Sequence, residues 1–173
     1  MARILIALLS VLLACDAIGA EKPVVTVGSK NFSEGYLLAE IMAQLLEVNG
    51  FTVERKFGLG GTLVCYEALE TGEIDAYAEY TGTIGQAILK IDDPAPQVPM
   101  LNNRLKPRGL MVLKSLGFNN TYAMAIKASL AGKLGIETIS DLAGRDDLKL
   151  AFSLEFLNRE DGWPGLARTY GFD

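Results

Sequence analysis

In the first half of the chain, short apolar runs alternate with segments of helical periodicity, and this alternation restricts the fold more than any other feature. Three runs rich in apolar residues predict strands at residues 23–28, 51–57 and 74–79. Two segments with apolar side chains at helical spacing predict helices at residues 33–48 and 62–70, with Ser33 and Thr62 as N-caps. The order βαβαβ is the unit of a parallel sheet covered by helices, so the sequence predicts an α/β fold.

The loops that follow the three predicted strands carry the residues of chemical interest. Right-handed crossovers place such loops at one edge of a parallel sheet. Two of the loops lead into helices, whose free N–H groups favour an anion. We therefore expect a crevice that binds a small polar molecule, with or without a carboxylate. The three loops are Lys30-Asn31-Phe32, Gly60-Gly61-Thr62 and Tyr80-Thr81-Gly82-Thr83.

The second half of the chain gives weaker signals. A helix is predicted over residues 101–116, with a second segment starting at Pro107. Residues 121–126 and 148–152 read as strands, and a short helix is predicted around Gly165.

Charge and composition exclude several classes of function. The formal net charge is −5, which provides no basic surface for nucleic acid. The chain has no His, so His-based catalysis and HExxH zinc sites are excluded, and we expect neither a metal ion nor a cofactor. An enzyme using Asp75 or Glu79 with Lys30 is the alternative from another class, although no nucleophile–base pair accompanies them.

Residues 1–20 have the features of an export signal. Arg3 precedes an apolar run too short to span a membrane, and small residues precede Glu21. A second interpretation is a bacterial lipobox ending at Cys15, which would then carry a lipid. We expect an exported protein, either periplasmic or lipid-anchored at the outer face of the cytoplasmic membrane. Cys65 is then the remaining thiol, and we expect it to be a small buried residue.

Five segments together resemble the substrate-binding proteins of ABC importers for quaternary ammonium osmoprotectants such as glycine betaine, choline and carnitine. The resemblance extends from about Val24 to Phe172. The segments are VGSKNFSE at 27–34, LGGT at 59–62, GEIDAYAEYTGT at 72–83, NNTYAMA at 119–125 and EFLNREDG at 155–162.

The resemblance implies a type II periplasmic binding protein fold, in which two α/β lobes close on the ligand. Residues 21–127 would form the first lobe and residues 128–173 part of the second. Family members continue further, so the second lobe is expected to be incomplete and marginally ordered, and to rest on the first lobe or on another subunit. The implied partners are a membrane permease and its ATPase.

The resemblance also implies a ligand site drawn from both lobes. Tyr80 and Tyr122 would be walls of an aromatic cage around the trimethylammonium group, which attracts ring faces because it cannot donate a hydrogen bond. Lys30 and Thr83 would hold the polar end of the ligand from the first lobe. Asn120 would line the pocket, and Arg159 would reach a carboxylate from the second lobe.

Simpler interpretations remain open for these residues. Tyr122 is also compatible with a core position, Thr83 with a helix cap, and Arg159 with a surface ion pair to Glu155 or Asp161. Two further functions also remain open: a binding protein for another small solute, such as an amino acid or an oxyanion, and a truncated remnant that binds nothing.

Overall fold

The computed structural model describes residues 22–93 and 95–172, so the predicted export signal and Cys15 lie outside the described residues. We call residues 22–93 and 95–109 the first region, and residues 110–172 the second region. These regions are not the predicted lobes, whose boundary between residues 127 and 128 stays a prediction. Within these residues, no helix is both long and apolar enough to cross a membrane. The elements are β1 (Val24–Lys30), α1 (Ser33–Val48), β2 (Thr52–Gly60), α2 (Thr62–Glu70), α3 (Thr81–Thr83), α4 (Val98–Leu105), α5 (Ala128–Leu134), α6 (Leu154–Asn158) and α7 (Trp163–Tyr170).

The first two predicted strands pair in parallel, as the alternating pattern indicated. Val24 lies opposite Thr52, and the register is regular as far as Gly28. Beyond Gly28 the register shifts, so that Lys30 pairs with Gly60. Bulges of this kind redirect a side chain at the end of a strand, often beside a functional site. The shift therefore bears directly on the orientation of Lys30.

The predicted strand at residues 74–79 is wrong as a full strand. A single parallel bridge joins Val27 to Ala76, and the Asp75 amide donates to the Thr26 carbonyl at 2.8 Å. The carboxylate of Asp75 also accepts the backbone N–H of Thr26 at 2.7 Å. The Asp75 side chain thus takes the Thr26 N–H, which a ladder extended toward residue 74 would use.

Both early helices have the predicted bounds, but their N-cap residues lie one position earlier than predicted. α1 starts at Ser33, with Phe32 in the extended cap position and no side-chain cap. α2 starts at Thr62, with Gly61 as the N-cap residue. The predicted capping roles of Ser33 and Thr62 are therefore wrong. The Thr62 hydroxyl instead donates to the carboxylate of Glu155, from the second region.

The core of the first region lies between α1 and the two strands. Val27, Ala39 and Ala43 are completely buried, and Ile74 is 1% exposed. Cys65 is also completely buried and forms no disulfide. Burial raises the pKa of its thiol to about 11, so Cys65 is a small core residue, as predicted, and not a nucleophile.

The helix predicted over residues 101–116 ends much earlier. α4 covers Val98–Leu105 and is followed by a 3₁₀ turn at Lys106–Arg108. Pro107 cannot donate the hydrogen bond that an α-helix needs, and Gly109 takes a left-handed conformation at φ 70°. Within the helix, Leu101 and Leu105 pack with Ile84 from the six-residue π-helix (Ile84–Leu89) that continues α3.

The second region contains short helices and turns. The strands predicted at residues 121–126 and 148–152 do not form, because within the described chain no strand lies beside them to complete a ladder. Ile126 and Leu150 are 40% and 43% exposed. The ordering contacts are aromatic: Trp163 lies 5.0 Å from Phe152 between ring centroids.

Candidate ligand-binding site

Lys30 is the centre of the site, at the irregular end of β1. Its side chain is 7% exposed. Its Nζ donates to Glu79 Oε1 at 2.6 Å and to Thr62 Oγ1 at 3.0 Å. Lys30 and Thr62 belong to two of the predicted loops, and the ring of Tyr80, from the third loop, lies 5.4 Å from Lys30 Nζ. The predicted convergence of these loops at one edge of the sheet is therefore confirmed.

Glu79 is the ion-pair partner that Lys30 needs when buried. Burial raises the pKa of Glu79, and the ammonium group of Lys30 opposes that rise. Its second oxygen, Oε2, is buried and has no hydrogen-bond partner among the described residues. Burial also raises the pKa of the neighbouring Tyr77 phenol, and the Glu79 carboxylate adds to this effect.

Tyr80 presents its ring face to the Lys30 ammonium, with Nζ 5.4 Å from the ring centroid. Its hydroxyl hydrogen-bonds the Glu34 carboxylate. Burial and then this hydrogen bond raise the pKa of Tyr80 to about 12. Asn120 Nδ2 donates to the Tyr80 hydroxyl at 3.2 Å and to Glu34 Oε1 at 3.0 Å. Asn120 and Tyr80 are thus brought together across the two regions.

Tyr122 also presents its ring to a cation. The guanidinium carbon of Arg159 lies 5.9 Å from the Tyr122 centroid. Phe156 makes an edge contact with the same ring at 4.9 Å. Tyr122 itself is 57% exposed, so it is not a core residue.

Arg159 is held by two carboxylates. Its Nε donates to Asp161 Oδ1 at 2.8 Å, and its Nη1 lies 3.5 Å from Glu155 Oε1. The simpler interpretation, an ion pair to Glu155 or Asp161, therefore describes the geometry correctly. The Arg159 side chain is only 11% exposed, so this pair is not an ordinary surface one.

Glu155 joins the second region to the site. Its Oε1 accepts the Thr62 hydroxyl at 2.6 Å and the Thr62 backbone N–H at 3.2 Å. Partial burial alone raises the pKa of Glu155, but the Thr62 hydrogen bonds, with Lys30 and Arg159 nearby, hold it below its usual value. Sequence reasoning placed Thr62 in the converging loops but missed Glu155 and Glu34 as members of the site, although both lie in the segments that carry the resemblance.

Thr83 is less closely connected. It is half-buried at the end of α3, immediately before the π-helix. No hydrogen bond within the described chain links its hydroxyl to the network around Lys30. Five of the six predicted site residues are therefore in one network, and Thr83 lies beside it.

Other features of the described residues do not compete with this site. A concave surface of about 450 Å³ lies within the second region, between residues 124–130 and 136–150, and its lining is largely apolar. Among the described residues, no cluster of three His, Cys, Asp or Glu side chains could hold a metal ion. The Asp75 carboxylate is bound to β1 backbone, which leaves it unsuited to acid–base work.

In α/β folds, ligands bind at the carboxyl ends of the strands, and aromatic, cationic and acidic groups meet at that edge here. The chain belongs to the family described as the substrate binding domain of ABC-type glycine betaine transport systems, which matches residues 23–173. The proteins of this family bind substrates and are not enzymes.

Relatives in two bacteria support this membership. The chain is 40% identical to the ergothioneine transport permease/ergothioneine binding protein EgtU of Helicobacter pylori, over 88% of this chain and 28% of that protein. It is 34% identical to a glycine-betaine-binding protein of Pseudomonas aeruginosa, over 94% of this chain and 57% of that protein.

The fold is also similar to a solved structure. A crystal structure of a glycine betaine/carnitine/choline ABC transporter matches with a TM-score of 0.59 and 27% identity, over 88% of this chain and 59% of that one. The predicted fold, an α/β periplasmic binding protein lobe with a parallel sheet, is therefore confirmed. The chain spans less than two thirds of the length of each of these three proteins.

Proposed function

We propose that this chain is the solute-binding component of an ABC importer for quaternary ammonium osmoprotectants such as glycine betaine or choline. One observation carries the proposal: two tyrosine rings, Tyr80 and Tyr122, each face a cationic group in the same network. A trimethylammonium group is a cation that cannot donate a hydrogen bond, so proteins bind it with aromatic faces. Rings that already face cations of the protein support a ligand of that class.

Each site residue has a role in this proposal. Tyr80 and Tyr122 contact the trimethylammonium group. Asn120, which bonds the Tyr80 hydroxyl, lines the pocket between the regions. Thr83 and Lys30 contact the polar end of the ligand, and Arg159 is the group that reaches a carboxylate where the ligand has one.

The partners and the location follow from the same function. A solute-binding component delivers its ligand to a permease that is driven by an ATPase. The apolar run at residues 4–14 supports export to the periplasm or the outer face of the cytoplasmic membrane, with Cys15 as the lipid attachment point in the anchored form.

Ergothioneine is a second candidate ligand. The observation in its favour is the 40% identity to a relative named as an ergothioneine binding protein. Ergothioneine also carries a trimethylammonium group, so the same tyrosine faces would contact it. Glycine betaine, choline and ergothioneine therefore belong in one test.

Titration calorimetry of the purified protein with glycine betaine, choline, carnitine and ergothioneine tests the proposal. We expect at least one ligand to bind. Tyr80→Ala should weaken its binding by about 1–2 kcal/mol, whereas Tyr80→Phe should weaken it much less. Tyr66→Ala is the control, because Tyr66 faces Arg108 in a similar contact outside the site. Equal losses for Tyr80→Ala and Tyr66→Ala, or no binding of any ligand, would contradict the proposal.

A further inference from the structure

Positive and negative charges are separated along this chain. Residues 94–136 carry six Lys or Arg residues and no Asp or Glu, although the whole chain has a formal net charge of −5. Four of these six cations lie within eleven positions of one another, at Arg104, Lys106, Arg108 and Lys114. Because the cations are concentrated in one segment, they create a positive surface on a protein that is acidic as a whole.

The chain after Gly109 folds back along α4, which brings these cations onto neighbouring segments. The side-chain amide of Asn102 in α4 donates to the Val112 carbonyl at 3.0 Å and accepts the Val112 N–H at 2.6 Å. The Leu110 N–H donates to the Leu105 carbonyl at 3.4 Å. Both polar groups of the Val112 backbone are therefore satisfied by one side chain, and this fixes the returning segment against α4.

The side chains of the returning segment alternate between the core and the surface. Leu110 and Val112 pack against the apolar cluster formed by α4 and the π-helix. Met111 is 69% exposed, and Leu113 and Leu116 are each 71% exposed. Neighbouring apolar side chains with this exposure mark an interaction surface, above all where they lie among cations.

Three of the cations beside these side chains have no partner within the described chain. Arg104, Lys106 and Lys114 are exposed and form no ion pair with a described residue. Arg108 differs from them, because its guanidinium lies 3.9 Å from the carboxylate of Glu70. We call the following residues the basic apolar surface: Arg104, Lys106, Met111, Leu113, Lys114 and Leu116.

We propose that the basic apolar surface lies on a membrane that carries anionic lipid headgroups. Lys and Arg side chains place their charges among such headgroups, and the apolar side chains between them enter the boundary of the hydrocarbon. Each cation close to an anionic membrane strengthens the binding. This inference goes beyond ligand binding and does not depend on which solute the candidate site takes.

A protein partner fits the same residues less well. Protein interfaces are enriched in aromatic side chains and depleted in Lys, whereas two of the six residues of the basic apolar surface are Lys and none is aromatic. A second copy of this chain, related by a two-fold axis, would place one positive surface against another. Like charges repel in that arrangement, so lipid headgroups are the favoured occupant.

Sedimentation of the purified chain with lipid vesicles tests the inference. Phosphatidylcholine vesicles with and without phosphatidylglycerol differ in headgroup charge. The apolar run at residues 4–14 is present in every variant and meets both kinds of vesicle, so the ratio of the two affinities reports the effect of charge. At low salt, we expect the wild-type protein to bind the anionic vesicles about tenfold more tightly or more. This preference should largely disappear in about 1 M salt.

Matched substitutions of lysine locate the effect on the protein. The double variant Lys106→Gln/Lys114→Gln should lower the affinity for anionic vesicles by about tenfold or more, because each cation contributes about fivefold. The double variant Lys22→Gln/Lys149→Gln is the control, since it removes the same charge from exposed lysines elsewhere. We expect the control to change that affinity by less than about twofold.

The apolar part of the basic apolar surface has its own matched pair. Leu113→Ser removes a side chain that is 71% exposed, and we expect it to weaken binding to the anionic vesicles by about threefold or more. Leu45→Ser changes a side chain of α1 that is 58% exposed and should leave vesicle binding unchanged. Circular dichroism confirms that each variant is folded, which these exposed positions should allow.

Three results would overturn the inference. The first is a wild-type protein that binds both kinds of vesicle equally at low salt. The second is a preference for anionic vesicles that Lys106→Gln/Lys114→Gln retains, and the third is a preference that high salt leaves unchanged. Self-association that depends on the same two lysines, in a protein that ignores the anionic vesicles, would assign the surface to a second copy of the chain, and the inference would fail.

Discussion

The two regions of the molecule are ordered in different ways. In the first region, a parallel pair of strands and two helices enclose Val27, Cys65 and Ile74. In the second region, Ile136 and Phe156 are the only buried apolar side chains among the described residues. The first region is thus stabilised by a packed core, and the second by aromatic contacts and by polar ties such as Glu155 to Thr62. A binding site formed between the two regions therefore depends on the second region, which is the less stable one.

Hydrogen exchange should show the largest difference between the regions. Amides of β1 and β2 lie in a ladder beside a packed core, whereas residues 121–126 and 148–152 have no ladder among the described residues. Because local opening free energies range from near zero to the global value, we expect β1 and β2 to exchange about 1,000-fold more slowly or more. Exchange followed by mass spectrometry on peptides checks this. Uniform protection across both regions would contradict the difference in stability between them.

Ion pairs give the next contrast. Lys30→Met leaves Glu79 buried without its partner, which should destabilise the protein by about 3–5 kcal/mol. Arg168→Met breaks the exposed pair with Glu160 and should cost about 1 kcal/mol or less. Urea unfolding of both variants measures the difference. A second substitution, Glu79→Gln, should restore part of the stability lost in Lys30→Met. No recovery in that double variant would argue that Lys30 acts through packing instead.

A matched pair of isoleucines tests the core itself. Ile74→Ala removes a side chain that is 1% exposed and lies against Gly28, so we expect a loss of about 2–5 kcal/mol in the free energy of unfolding. Ile126→Ala removes the same atoms from a side chain that is 40% exposed in the second region. Its loss should be about 1 kcal/mol or less. Similar losses for both would mean that the second region has a core of its own.

The same difference explains what the sequence predicts well and what it does not. In the first region, β-branched runs and helical spacing predicted β1, α1, β2 and α2 to within a few residues. These sequence patterns are local, and the elements that they favour are also the ones that pack together in the structure. The helix at residues 101–116 was wrong because Pro107 and Gly109 end it, although both are visible in the sequence. The predicted strands at 121–126 and 148–152 depended on partners far away in the chain, which a local pattern cannot supply.

For the candidate site, the sequence predicts which residue types meet but not how they pair. Convergence of the strand-end loops follows from crossover handedness, and it placed Lys30 near Tyr80 correctly. The contact between Glu155 and Thr62 joins residues 93 positions apart. Nothing local indicates that contact, because it depends on where the second region lies against the first. The ligand roles of all six predicted site residues remain predictions.

Acid should weaken the polar contacts of Glu155 and Asp161 in the second region before it affects the core of the first region. This is the smallest effect that we predict. The hydrogen bonds of Arg159 hold the pKa of Asp161 below its usual value, and the pKa of Glu155 is also lowered in the folded protein. Carboxyl groups with a lowered pKa stabilise the fold above their unfolded values, about 3.9 for Asp and 4.3 for Glu. That stabilisation is lost as the pH falls through the folded values. Burial raises the pKa of Glu79, so its contribution to stability does not fall as the pH is lowered. Protonation of Glu79 therefore does not weaken the first region in acid.

Trp163 makes this effect measurable, since it is the only Trp in the chain and stacks on Phe172 in the second region. As the pH is lowered from 7 to about 3, we expect Trp163 emission to shift to longer wavelength while far-ultraviolet circular dichroism changes little. Because both carboxyl groups are partly exposed, salt should reduce the shift. In Glu155→Gln the pH dependence should become weaker, whereas Glu160→Gln should titrate like the wild-type protein. If the Trp163 emission and the circular dichroism changed together, the two regions would unfold as one unit. The difference between a packed core and polar contacts would then have no consequence for stability.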